Sequence, residues 1–159
     1  MAEVTDLLVA EAVQLGCTAA DRFDAVRQAG EILIRTGAVE PAYADAMQER
    51  EQSLSSYVGE GFAIPHGTDE SRAHVRRGAL AFLQFPDGVD WDGEDVRACV
   101  AIAAATDEHV SVMATLARVL VEPEQAEELR TTTDPQRVLE LLAPTPDTSD
   151  DTTQPQETK

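Results

Sequence analysis

The sequence predicts an α/β fold, a single domain built on a mixed sheet with helices on both faces. Helical periodicities alternate along the chain with short apolar runs, the pattern of strands covered by helices. Val96 to Ala104 is an apolar run of the kind that a central strand, buried on both faces, requires. From Pro144 the composition turns to Pro, Thr, Ser, Asp and Gln, which cannot bury enough surface to offset ordering entropy. Residues 1–143 are therefore expected to form the domain and residues 144–159 a disordered, acidic tail rich in Thr and Pro.

Taken in order, Ala12 to Leu15 before Gly16 reads as a short strand at a sheet edge. From Ala19 to Thr36, Phe23, Val26, Gly30, Leu33 and Ile34 recur at three- and four-residue spacing, which predicts an amphipathic helix ended by Gly37. Pro41 opens a second helix, on which Tyr43, Ala46, Met47 and Arg50 share one stripe. Arg50 continues the buried face, so its guanidinium emerges at the core edge, unless it is a surface residue paired with Glu49 or Glu51. After Ser53, Ser55 and Ser56, Phe62 to Ile64 is a short strand that delivers His66, and Thr68 to Ala73 is a turn or short helix. Gly78 to Phe85 is a buried strand closed by the turn signal Pro86-Asp87-Gly88. After the Val96 strand, Thr106 has N-cap chemistry with Asp107 and Glu108 in the first turn. That helix runs to about Val121, with His109, Val112, Met113, Leu116 and Leu120 on one face. Helices from Pro123 to Arg130 and from Pro135 to Leu142 follow, the latter capped by Asp134.

Composition excludes several function classes. With 43% hydrophobic and 26% charged residues in 159, the chain is globular, and a net charge of −18 with only 12 basic residues disfavours nucleic-acid binding. No run of about 18 apolar residues is available to span a bilayer, and the start lacks secretory-signal character, so a cytoplasmic protein without membrane insertion is expected. Cys17 and Cys99 lie far apart among apolar neighbours and read as buried thiols. There is no His-x-x-x-His pair for a metal, no Gly-x-Ser-x-Gly elbow, and no cofactor is implied.

The octet Gly61 to Thr68 is the candidate site. Pro65 fixes the backbone ahead of His66, and Gly67 permits a sharp turn and close approach. In open α/β sheets functional groups gather beyond the carboxyl ends of strands, where both His66 and His109 can fall, with Glu60 and Thr68 near in sequence. A histidine there suits nucleophilic attack on phosphorus, because its neutral form is available near pH 7. His109 as an N–H donor, Thr68 through its hydroxyl and Arg50 by charge are the candidates to stabilise the phosphoryl oxygens. The bland alternatives are a half-buried His109 satisfied by its own helix start, and His74 as a surface histidine.

The octet resembles the phosphorylation motif of the mannitol/fructose-type enzyme IIA components of the bacterial phosphoenolpyruvate-dependent sugar phosphotransferase system. The resemblance spans Leu15 to Leu142 and leans toward the mannitol branch in Val39-Glu-Pro-Ala-Tyr43, Met47-Gln-Glu-Arg50-Glu, Tyr57-Val-Gly-Glu60, Gln84-Phe-Pro-Asp-Gly-Val89, Ile102-Ala-Ala and Glu108-His109. It implies a five-stranded mixed sheet flanked by helices. It also implies that His66 accepts a phosphoryl group from the phosphocarrier protein HPr and passes it to a cysteine of a IIB domain during sugar uptake. His109 matches the family's second active-site histidine and Arg50 its active-site arginine. Neither cysteine matches the IIB acceptor. The alternatives are a regulatory nitrogen-type or fructose-type IIA whose phosphorylation state controls a partner, and a binding domain that merely retains the motif.

Overall fold

The computed structural model describes residues 7–104 and 106–142, and for 106–109 and 111 the backbone alone. Its sheet is formed by β1 (Val13–Gln14), β2 (Tyr57–Gly59), β3 (Phe62–Ala63), β4 (Ala79–Trp91) and β5 (Glu94–Ala103), in the order β1-β4-β5-β3-β2. The helices are α1 (Arg22–Arg35), α2 (Pro41–Ser53), α3 (Thr106–Leu120), α4 (Pro123–Thr131) and α5 (Pro135–Leu141), with 3-10 turns at Ala10–Ala12 and Glu70–His74. The expected class holds: β1 and β3 lie parallel to β4 and β5 respectively, while the β4–β5 and β2–β3 pairs are antiparallel.

The central pair β4–β5 explains why helices must cover both faces. From Ala79 to Phe85 and from Ala98 to Ala103 consecutive residues are buried although successive side chains point to opposite sides. Phe82, Phe85, Trp91, Val100 and Ile102 are fully enclosed. Helix starts and stops follow local chemistry. Asp21 accepts a hydrogen bond from the Asp24 amide at the start of α1, and Gly37, at φ +80°, supplies the left-handed residue past its end. Pro41 begins α2, and Asp134 caps α5 by accepting from the Gln136 amide.

Pro86 to Gly88 does not turn the chain. β4 continues through it to Trp91, and the ladder steps from Gln84↔Ala98 to Val89↔Val96, so four residues bulge opposite one. The bulge is held from across the strand pair, where Arg97 Nη1 donates to the Pro86 carbonyl at 2.6 Å. The hairpin reverses instead at Asp92 and Gly93, both with positive φ. The expected tail, residues 144–159, lies outside the described residues.

β3 and β5 set the position of the site. Their register, Phe62↔Ala98 and Ala63↔Cys99, is extended by a parallel bridge between His66 and Ile102. Because the two strands run the same way, the chain leaving β3 and the amino end of α3 leaving β5 meet at one edge of the sheet. Behind this edge α1 packs on α2, β4 and β5. Gly30 makes that packing close: a Cβ there would stand 2.9 Å from the Ala44 Cβ, which cannot swing away. Helix propensity favours alanine over glycine by about 1 kcal/mol, but overpacking costs about 1–3 kcal/mol. Gly30→Ala should therefore lower the unfolding free energy in urea titrations; a gain in stability would show that α1 and α2 can separate at little cost.

Candidate active site

His66 is half-buried at the end of β3, where the Ile102 amide donates to the Pro65 carbonyl at 2.9 Å. Its Nδ1 lies 2.9 Å from the carbonyl oxygen of Gly67. A carbonyl only accepts, so Nδ1 carries the proton in this contact, and in the neutral ring the lone pair resides on Nε2. Burial is the main cause that holds the imidazole pKa below its ordinary value of 6.5, offset by the Gly67 bond, with the Arg50 and Arg72 charges lowering it further and the Glu51 charge raising it. Near pH 7 the ring is neutral.

The loop after His66 is shaped by Tyr43, which lies on the buried stripe of α2. The Tyr43 hydroxyl donates to the Ile102 carbonyl at 2.7 Å and accepts from the Gly67 amide at 3.0 Å, so one oxygen ties the histidine loop to β5. Gly67 is needed for a different reason than expected. Its φ is not in the left-handed region, but a Cβ would lie 2.4 Å from Ser71 Oγ and 2.7 Å from the Tyr43 ring. The close approach is made by the protein's own side chains. Thr68 turns the chain into the Glu70–His74 turn: its carbonyl accepts from Ser71 Oγ at 2.6 Å and its hydroxyl oxygen accepts from the Ser71 amide at 3.3 Å.

The charges of two guanidiniums reach the His66 ring. Arg50 is half-buried in the last turn of α2, where Nη1 donates to the Leu54 carbonyl at 2.8 Å, and among the described residues it pairs with neither Glu49 nor Glu51. Arg72, on the 3-10 turn, is 3.4 Å from Asp69 and is the cation that sequence reasoning missed; an arginine six residues after the histidine, on a turn that folds back, was its only signal. His109 lies in the first turn of α3, at the carboxyl edge of β5, and its side chain is outside the described residues. His74 is a half-exposed residue whose Nδ1 is 2.9 Å from Glu40, pinning the same turn to the start of α2.

Glu60 goes elsewhere. It occupies the β2–β3 turn at the amino end of β3, whereas His66 is past the carboxyl end; the intervening extended backbone, Phe62 to His66, spans about 13 Å. There it lines a cavity of about 790 Å³, with Arg97 and Arg130. Those cations are already matched: Arg97 by Asp95 and the Pro86 carbonyl, Arg130 by Glu127 and the Glu60 carbonyl. The cavity is thus a self-neutralised cleft remote from the histidine. Burial pushes both thiols, Cys17 and Cys99, up and keeps them protonated. Among the described residues no cluster of His, Cys, Asp and Glu could hold a metal, and no helix is long and apolar enough to cross a membrane.

The model of the family described as phosphoenolpyruvate-dependent sugar phosphotransferase system, EIIA 2, matches residues 6–144. A multiphosphoryl transfer protein of Xanthomonas campestris pv. campestris is 42% identical over 140 residues, covering 86% of this chain, which spans only 17% of that protein's length. A mannitol-specific phosphotransferase enzyme IIA component of Staphylococcus aureus is 43% identical over 106 residues, 67% of this chain and 74% of its own. Among solved structures, a chain of the complex of enzyme IIAMTL and phosphorylated enzyme IIBMTL from Escherichia coli superposes with a TM-score of 0.79 at 39% identity, covering 86% of this chain and 98% of that one.

Two outcomes test the geometry. Followed by the His66 ring protons in NMR, the imidazole should titrate below 6.5, and Arg50→Gln should move the midpoint up; a midpoint above the ordinary value would contradict the burial described. The sign for stability follows: a lowered folded pKa contributes stability that is present above the unfolded value and is lost as pH falls through the folded one. Tyr43→Phe strands the buried Gly67 amide and should cost about 1–3 kcal/mol in urea unfolding, whereas an unchanged midpoint would mean that the hydroxyl bridges nothing.

Proposed function

The chain belongs to the EIIA 2 family of the phosphoenolpyruvate-dependent sugar phosphotransferase system, and from that premise we propose that His66 is the residue that carries its phosphoryl group. The phosphoryl group comes from HPr and passes to the cysteine of a IIB domain of a sugar permease, with mannitol as the sugar, on the cytoplasmic side of the membrane. The observation that carries this reading is the Nδ1–H donated to the Gly67 carbonyl, which leaves Nε2 as the nucleophilic nitrogen of a ring kept neutral by burial.

In the first step the Nε2 lone pair attacks the phosphorus of the donor's phosphohistidine. The donor P–N bond breaks, and its electron pair stays on the donor imidazole. The bond from Nδ1–H to the Gly67 carbonyl stabilises the positive charge that develops on the attacking ring. Negative charge on the equatorial oxygens is met by Arg50 and Arg72, whose fields already reach the imidazole. His109, brought to the same sheet edge by the first turn of α3, is the further N–H donor. In the second step a IIB thiolate attacks the phosphorus, and the electron pair of the P–N bond returns to Nε2. Pro65, Gly67 and Thr68 hold the loop in place, Pro65 through its carbonyl and Thr68 through Ser71. Glu60, expected as a supporting residue, stands at the amino end of β3, away from this loop.

Incubation with phosphoenolpyruvate, enzyme I and HPr should add one acid-labile phosphoryl group by mass spectrometry, absent in His66→Ala; equal labelling of that variant would remove His66 from the reaction. His109→Ala should slow transfer about 10²-fold with the fold intact. Offered a panel of IIB domains, the phosphorylated chain should discharge fastest to a mannitol-type domain; discharge to none would favour a regulatory protein.

A further inference from the structure

Next to Arg50 on α2 stands Glu51, a carboxylate that the transfer chemistry leaves unused and that is only 2% exposed. Its Oε1 accepts from Ser56 Oγ at 2.6 Å, and its Oε2 accepts from the Ser56 amide at 3.2 Å and from Trp91 Nε1 at 2.9 Å. Arg22 Nε is 3.6 Å from Oε2 and has no hydrogen-bond acceptor of its own among the described residues. The Arg22 guanidinium lies over the Phe23 ring, 4.6 Å from its centroid, and reaches Asp92 at 3.4 Å. Each group that these contacts bring to Glu51 is a donor, so this pocket fits a carboxylate and not a carboxamide. Replacing a buried ion pair with apolar side chains is often neutral or stabilising, so packing alone gives no reason for the charge.

What the carboxylate does is join two parts of the site. Arg50 precedes it on α2 and donates to the Leu54 carbonyl, while Ser56, held by two of its hydrogen bonds, accepts from the Ile64 amide at 3.0 Å, two residues before His66. Trp91, from the far end of β4, closes the third side. We propose that Glu51 is a positioning residue for phosphoryl transfer: by clamping Ser56 and Trp91 to the end of α2, it fixes the Arg50 guanidinium relative to the His66 imidazole. This rests on His66 as the phosphoryl acceptor and adds a residue that touches neither partner nor phosphate.

The test is a double-mutant cycle on the rate of phosphoryl acceptance from phosphorylated HPr, using the full chain as wild type, Glu51→Gln, Arg50→Gln and the double variant, with Trp91 fluorescence and thermal unfolding as fold controls. Glu51→Gln sets an amide N–H against a donor and should slow transfer about 10-fold by misplacing Arg50. In the Arg50→Gln background the same change should cost less than about 2-fold, because the group it positions is gone. An equal loss in both backgrounds, or no loss, overturns the proposal. If Glu51→Gln does not fold, Ser56→Ala and Trp91→Phe, each deleting one donor, take its place in the cycle under the same criterion. A wild-type chain that accepts no phosphoryl group sinks the transfer reading and this proposal with it, whereas a competent wild type with additive variants sinks the proposal alone.

Discussion

The parallel pairing of β3 with β5 is the constraint on which the rest of the site depends. Through the His66–Ile102 bridge it aligns the end of a two-residue strand with the end of a ten-residue one. A strand as short as β3 has little pairing energy of its own, so its position is inherited from β5, which is buried on both faces from Ala98 to Ala103. The Pro65 carbonyl, the Tyr43 hydroxyl and the Ser56 carbonyl each add a hydrogen bond that reinforces that inherited position. A loop histidine is thereby held by core-quality structure without being buried beyond the reach of a partner.

Charge around the imidazole is balanced by depth. Arg50 and Arg72 bear on the ring from α2 and from the 3-10 turn, and both favour its neutral form, as does burial; Glu51 opposes them from inside. A chain with a net charge of −18 nevertheless keeps two cations, Arg50 and Arg72, within reach of this ring. Elsewhere many of its arginines are consumed in local ion pairs, such as Arg27 with Asp24 and Glu31, or Arg137 with Glu128 and Glu140. Exposed pairs of this kind contribute little stability each.

The fold class, the helices and the prominence of His66 were legible because they rest on local signals: three- and four-residue periodicity, a proline at a helix start, an apolar run ending at Pro65. Arg50 was legible as the continuation of a buried stripe. What was not legible depended on closeness between distant segments. The Tyr43 hydroxyl meets Gly67 across 24 positions, Glu51 meets Trp91 across 40, and neither carries a local mark of the pairing. Glu60 shows the reverse error, since nearness in sequence put it beside His66 while an extended strand carries it to the opposite end. Pro86-Asp87-Gly88 has the chemistry of a turn, and a turn and a strand bulge ask for the same residues.

That bulge has an evolutionary consequence. Elsewhere in the β4–β5 pair a single inserted residue would shift the phase of a strand and exchange its buried and exposed faces. Between Gln84 and Val89 the ladder is already interrupted, so length can vary there while the segment from Ala79 to Gln84 keeps its register with β5. The hairpin thus contains its own expansion joint, and lineages can remodel its outer end without moving the histidine at the other.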